Sequence, residues 1–219
     1  MPPGRDDLDF GYFEILKIRC NSNKGGMNMK TILLENEHVL LRPVTRDDVL
    51  QIRAAANDAR IWTHMSVELL SDQAVEKYIE EALHGYETGA SYLFVVIDKK
   101  AKRIVGCTSF LDISIPHKRL EIGATWYHPS VWRTHINTNC KYVLLSYCFD
   151  ELLLNRVQIK TGHENIRSQQ AIERLGATKE GILRNHMVQR NGKLRHTVMY
   201  SIISGEWLRI KNRFEKNLM

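Results

Sequence analysis

Apolar residues along the chain switch between the two-residue period of strands and the 3.6-residue period of helices. His38–Val44 is a short apolar run that ends beside Pro43, the pattern of a first strand near a sheet edge. Thr45 then predicts a helix cap, with Asp47 and Asp48 in the first turn, where the helix dipole favours acids, and the helix runs to about Ala56. Ala74, Val75, Tyr78, Ile79, Ala82 and Leu83 form one stripe of a second helix from Ser71 to about His84, closed by Gly85 and Gly89.

Three strands are predicted next, at Tyr92–Ile97, Arg103–Phe110 and Leu120–Tyr127. The first is apolar on both faces, as a central strand is. Asn137–Leu154 reads as a helix through Cys140, Val143, Leu144, Tyr147, Cys148 and Leu152. Arg156–Thr161 is a strand, and Asn165–Leu175 a helix ended by Gly176. Ile182–Arg190 and Leu194–Ile202 flank Asn191-Gly192, a strong hairpin signal. The order is that of one mixed α/β sheet, and no repeat is visible.

Composition fits this picture. With 43% hydrophobic and 26% charged residues in 219, the chain has the make-up of a globular domain. No run approaches the length of a membrane span, and Met1–Asp9 lacks the apolar core of a secretory signal, so a cytoplasmic protein without a membrane partner is expected. Residues 1–28 read differently: glycines break every period, and Asn21–Gly26 is a polar linker. Lys24-Gly25-Gly26 is also what a bacterial ribosome-binding sequence becomes when translated, just ahead of Met29. The expectation is a tail or mis-started extension over 1–28, with Met27 or Met29 as native start, and a single domain over 29–219.

Thirty-one Lys and Arg against 25 Asp and Glu give a net charge of +6. Residues 1–28 hold four of each sign, so the whole excess belongs to the body. The partner is then anionic: a nucleic acid, a phosphate-bearing cofactor or an acidic protein. Cys20, Cys107, Cys140 and Cys148 make no C-x-x-C pair and read as small buried hydrophobes. Nine histidines show no metal-ligand spacing, so no metal is expected, and no phosphate-binding G-x-x-x-x-G-K occurs.

Leu120–Thr138 (LEIGATWYHPSVWRTHINT) takes the chain from a strand, past Pro129, to a helix N-terminus, a natural anion site. Downstream stand Asn165-Ile166-Arg167-Ser168, Ala171-Ile172 and Leu175-Gly176-Ala177. Together with Glu121-Ile122-Gly123, Trp132, Asn137-Thr138, Leu154–Val157 and the closing Tyr200–Ile202 and Glu206-Trp207, these resemble the GNAT superfamily of acetyl-CoA-dependent N-acetyltransferases. The likeness is to its RimL-like branch, which acts on ribosomal-protein N-termini, and it runs from about His38 to Trp207.

That resemblance implies a mixed, mostly antiparallel sheet of about seven strands flanked by about four helices. It implies direct transfer from acetyl-CoA to an amine, with no acyl-enzyme and no metal. The pantetheine arm would pair with backbone at Trp126 and Tyr127, and the diphosphate would sit over Arg133, Thr134, His135, Ile136, Asn137 and Thr138. The superfamily's usual loop, Q/R-x-x-G-x-G/A, is replaced here by Trp132, His135 and Asn137, with His135 adding bulk where Gly gives access. Asn139, where the branch commonly has Glu, reads as a neutral surface change. Asn165 would hold the arm, and Ser168 would protonate the leaving thiolate, since that helix has no Tyr.

Glu121 is the candidate base, through water, with a structural ion pair as the competing role; His128 reads as a loop histidine. An α-amine of pKa ~7.7–8.0 needs under about 1 kcal/mol to be neutral near pH ~7.4, against about 4 for lysine. A protein or peptide N-terminus is therefore the leading acceptor, with a small amine (polyamine or aminoglycoside-like) as the alternative. Trp62 and His186 are the candidate substrate-binding residues, Trp62 being equally readable as core. A homodimer is compatible with the resemblance, and a nucleic-acid-binding protein is the remote alternative.

Overall fold

Tyr92, Phe94 and Val96 on one face of a strand, and Leu93 and Val95 on the other, are all buried, and the fold is built outward from that strand. The computed structural model describes residues 32–218. The tail predicted over 1–28, Cys20 included, lies outside the described residues.

Among the described residues eight strands form one sheet: β1 (Leu34–Glu35), β2 (Val39–Pro43), β3 (Tyr92–Asp98), β4 (Arg103–Ser114), β5 (Arg119–Tyr127), β6 (Arg156–Gly162), β7 (Thr178–Val188) and β8 (Leu194–Ile203). Their order is β1-β2-β3-β4-β5-β6-β8-β7. Every pairing is antiparallel except β5 with β6. The helices are α1 (Val49–Ala55), α2 (Asp72–Thr88), α3 (Ile136–Ser146), α4 (Ile166–Leu175) and α5 (Ser204–Asn217).

Two cores lie on opposite faces of the sheet. One packs Ile52 of α1 and Val75 and Ile79 of α2 on Leu93, Val95, Cys107 and Trp126. The other packs Cys140, Leu144, Ile172, Ile210 and Phe214 from α3, α4 and α5 on Phe94, Ile122, Val157 and Tyr200. Cys107, Cys140 and Cys148 are free and buried, as the sequence predicts. Among the described residues no helix is long and apolar enough to cross a membrane.

The mixed α/β class and the element order match the prediction, and the differences have local causes. Helix α2 runs through Gly85 and stops at Gly89, whose φ of +72° is the left-handed cap. Gly85 is needed for another reason: a Cβ there would strike the Ser91 side chain as the chain turns back over the helix. The predicted helix to Leu154 is α-helical only to Ser146 and then widens into a π turn over Tyr147–Glu151. Two elements were unforeseen. β1 is two residues long, too short to pattern, and α5 buries Trp207, Ile210 and Phe214 on one stripe. The hairpin forms as predicted, with Gly192 at φ +79° and Val188 opposite Leu194.

Candidate active site

Strands β5 and β6 run side by side for only three residue pairs, Arg119↔Arg156, Leu120↔Val157 and Glu121↔Gln158. Beyond them β5 pairs only with β4, and β6 only with β8. A gap therefore opens between the parallel strands toward their C-terminal ends. The cause lies in β5. The β4–β5 register slips between Cys107 and Ser109, and Ala124 takes φ +47°, a left-handed conformation that strains any residue with a Cβ. This bulge lets the distal half of β5 part from β6.

The unpaired edge of β5 is where an extended ligand could add as a strand. The Trp126 carbonyl is turned to β4, against Gly106, whose backbone leaves it room. The direction alternates residue by residue, so the Tyr127 N–H and C=O face the gap while the His128 N–H returns to Val105 O of β4 (2.8 Å), and the Tyr127 carbonyl is already taken by Trp132 Nε1 at 2.8 Å. Of the two backbone positions predicted for the cofactor arm, Tyr127 thus faces the gap and Trp126 faces its partner strand.

The loop after β5 leads to α3, and the loop after β6 leads to α4. His128 caps the single turn Pro129–Val131 through its Nδ1, which accepts from Ser130 N–H at 3.1 Å, a structural role. Arg133, at φ +62°, Thr134 and His135 are exposed ahead of α3. Thr134 Oγ1 donates to Val131 O (2.7 Å) and accepts from Ile136 N–H (3.3 Å). The N–H groups of Asn137 and Thr138 belong to the helical turn with no intrahelical acceptor, so an anion can be met there. The side chains of Ile136 and Thr138 are buried, and Thr138 Oγ1 accepts from Arg174 of α4 (3.0 Å). Both can meet a ligand by backbone alone.

Asn165 caps α4: its Oδ1 accepts from Ser168 N–H at 3.1 Å. Ser168 is half-buried in the first turn. Arg167, to which the sequence reading gave no role, reaches across the mouth of the gap to Trp132 (4.0 Å from its ring centre), and Arg60 lies 5.8 Å from the same ring. Arg60 is itself held by Asp58, whose carboxyl those hydrogen bonds bring down to about 2. The mouth therefore carries Arg60, Arg133 and Arg167, with two helix N-termini.

Glu121 sits where the strands part and is 1% exposed. Its Oε2 accepts from Lys160 Nζ (2.9 Å) and Gln158 Nε2 (3.2 Å), while Oε1 lies over Gly123, where a Cβ would collide with it. The ion pair weighed as its competing role is present. Trp62 is 1% exposed, donates to Ala56 O (3.1 Å) and tilts against Trp126 at 5.3 Å. It belongs to the core and reaches the site only by carrying Trp126. His186 is exposed on β7, with Nδ1 3.0 Å from Thr197 Oγ1. Asn139 corrects the reading of a surface position: it is fully buried, accepts from Asn36 Nδ2 (2.6 Å) and donates to His135 O (2.9 Å).

Lys141 was also missed. It is 5% exposed, and Thr125 Oγ1 at 2.9 Å is its hydrogen-bond acceptor among the described residues. Its position on the inward face of α3, beside Cys140 and Leu145, was the signal available. No group of three or more His, Cys, Asp or Glu side chains among the described residues could hold a metal ion.

Comparison with known proteins matches residues 38–178 to the model described as Acetyltransferase (GNAT) domain. The uncharacterized N-acetyltransferase YoaA of Bacillus subtilis (strain 168) is 27% identical over 173 residues, 78% of this chain and 96% of its own. YdaF of the same organism, provisionally named as a ribosomal N-acetyltransferase, is 30% identical over 125 residues, 57% of this chain and 63% of its own. A GCN5-related N-acetyltransferase from Brucella melitensis superposes with a TM-score of 0.80 at 25% identity, covering 87% of this chain and 86% of that one.

Proposed function

The chain belongs to the acetyltransferase (GNAT) domain family and is an N-acetyltransferase, and from that premise we propose that it acetylates the α-amine of a protein or peptide. The observation that carries this reading is the gap between β5 and β6, with an unpaired strand edge inside it and two helix N-termini at its mouth.

Acetyl-CoA fits the residues present. Three arginines and the first turn of α3 suit the phosphates, and the free edge of β5 suits the amide-bearing arm. Bound there, the thioester supplies an acyl carbon that a neutral amine can attack. The new N–C bond forms as the C–S bond breaks, the sulfur leaves as thiolate, and the amine gives up one proton. Tyr127 N–H and the Asn165 side-chain amide hold the arm, and the arginines at the mouth hold the charge. Ser168 Oγ, in the first turn of α4, donates a hydrogen bond to the departing thiolate and relays to it a proton drawn from solvent, so that the hydroxyl is regenerated.

Glu121 Oε2 is engaged by Lys160 and Gln158, so Oε1 is the atom left to accept the amine proton through a water. An α-amine loses that proton readily near neutral pH, which suits a site whose carboxylate is already paired. The name of YdaF supports a ribosomal protein as the acceptor.

The test is thiol release from acetyl-CoA with Ala- and Ser-starting peptides, polyamines and aminoglycosides as acceptors. Turnover of the peptides with little or none of the small amines is expected. Turnover confined to polyamines or aminoglycosides would overturn the acceptor class.

A further inference from the structure

A lysine buried without a carboxylate is an expensive thing to place in a core. Lys141 lies in the second turn of α3, 5% exposed, with its ammonium 2.9 Å from Thr125 Oγ1. No ion pair involves it among the described residues, so two of its three N–H donors have no acceptor there. Thr125 in turn is 2.7 Å from Thr108 Oγ1 and donates to Gly123 O (3.3 Å), so the hydroxyl that holds Lys141 is fixed by β4 and β5. A methionine would fill the same volume with no charge to desolvate.

Position gives the charge a use. Thr125 directly follows the strained Ala124, on the stretch of β5 that has lost β6 as a neighbour. Lys141 Nζ therefore lies against the bulge from the α3 side, at the edge of the gap. With the phosphates at the mouth and the arm extended along β5, the acyl end comes to rest toward the narrow part of the gap, beside this bulge.

We propose that Lys141 polarises the acetyl group: from beneath the bulge its ammonium donates a hydrogen bond to the carbonyl oxygen of the bound thioester. The inference rests on acetyl-CoA binding as described above. As the amine attacks, charge grows on that oxygen, and a preplaced cation in a water-poor site stabilises it more in the transition state than in the ground state. Desolvation pushes the Lys141 ammonium down to about 8, which still leaves it mainly charged at neutral pH.

The test compares wild type, K141M and K141R. Calorimetry with acetyl-CoA and with CoA comes first, then the carbonyl band of [1-13C]acetyl-CoA on each protein by isotope-edited infrared spectroscopy. Expected is similar acetyl-CoA affinity in all three, a band moved to lower frequency on wild type and K141R, and loss of most of that shift on K141M. Thiol release with the best peptide should fall at least 30-fold in K141M, mainly in kcat.

Should K141M fail to fold, 13Cε-lysine NMR of wild type decides, with K141R used for assignment. The Lys141 signal should move with acetyl-CoA and not with CoA. Acetyl-CoA binding with the same band on wild type and K141M, or a Lys141 signal blind to the acetyl group, overturns the role of Lys141 alone. Failure of wild type to bind acetyl-CoA overturns the underlying reading, and this inference with it.

Discussion

The Arg167 guanidinium carbon lies 4.0 Å from the centre of the Trp132 ring, although one residue opens α4 and the other follows β5. The stack ties together the two lips of the gap. A cation in the first turn of a helix opposes the dipole, so this placement is locally unfavourable and calls for an anion or an aromatic face nearby. R167A is expected to raise the acetyl-CoA Kd roughly 10-fold while leaving kcat within about 2-fold. R167K should lie between, because an ammonium cannot stack as a planar guanidinium does. Calorimetric titration checks both, and equal affinities would remove Arg167 from the cofactor site.

Glu121 and Lys160 form an unequal pair. The carboxylate is almost wholly buried, whereas the lysine side chain is 29% exposed and can turn to water. Removing the lysine strands a buried charge with Gln158 as its remaining hydrogen-bond partner and only the more distant charge of Arg195 to offset it; removing the carboxylate leaves a lysine that water can solvate and an Arg195 that loses a weaker attraction. K160M should therefore destabilise by about 3 kcal/mol, and E121Q by less than half of that. Urea midpoints measured at pH 7 compare them. Equal losses would mean that the Glu121 charge is better solvated than its burial implies.

Ser168 donates its backbone N–H to the Asn165 cap, which leaves its hydroxyl free for chemistry. S168A keeps that N–H and hence the cap, so α4 should form normally. A departing thiol of pKa near ~8.5 needs only modest protonation, and kcat should fall about 10-fold with acetyl-CoA affinity unchanged. Steady-state thiol release together with calorimetry separates the two quantities. An unchanged kcat would remove Ser168 from the acid role.

Where periodicity is local, the fold was legible. The alternation that marks β3 as buried on both faces, the stripe of α2 and the Asn191-Gly192 turn each state their structure within a dozen residues. β1 could not be read, since two residues carry no period. α5 is marked by Trp207, Ile210 and Phe214, at spacings of three and four, but the polar residues between them leave that stripe weak in the sequence. The parting of β5 from β6 was not legible at all. It depends on Ala124 adopting φ +47° against Thr108 of another strand, and nothing in Gly123-Ala124-Thr125 announces it. The burial of Asn139 likewise depends on Asn36, 103 residues away. The resemblance pointed to the loop around Arg133 and to Asn165, whose side chain the structure shows capping α4. Which lysine would be buried beneath them only the packing of α3 reveals.

Lys141 also predicts how stability responds to pH. Burial lowers its folded-state value to about 8 from 10.5. The groups beside it are Cys140 on the same helix, whose thiol burial pushes up to about 12 and which Tyr127 of β5 meets, and the Thr125 hydroxyl held by Thr108, with no carboxylate. At and below about pH 7 the lysine is protonated in both states, so the folded protein bears the full penalty, about 3 kcal/mol for such a difference. Between about 8 and 10.5 the folded state sheds the proton while the unfolded state keeps it, and the penalty fades as pH rises. K141M carries no such group. It should be more stable than wild type by up to about 3 kcal/mol near pH 7, and the advantage should shrink steadily toward pH 10. Buried tyrosines and cysteines that destabilise both proteins at high pH cancel in the comparison. Urea denaturation of the two proteins at pH 7, 8.5 and 10 measures the gap. A gap that stays constant across that range would mean that the Lys141 ammonium is as well solvated in the folded state as in the unfolded one, and the desolvated charge assigned to the bulge would not be there.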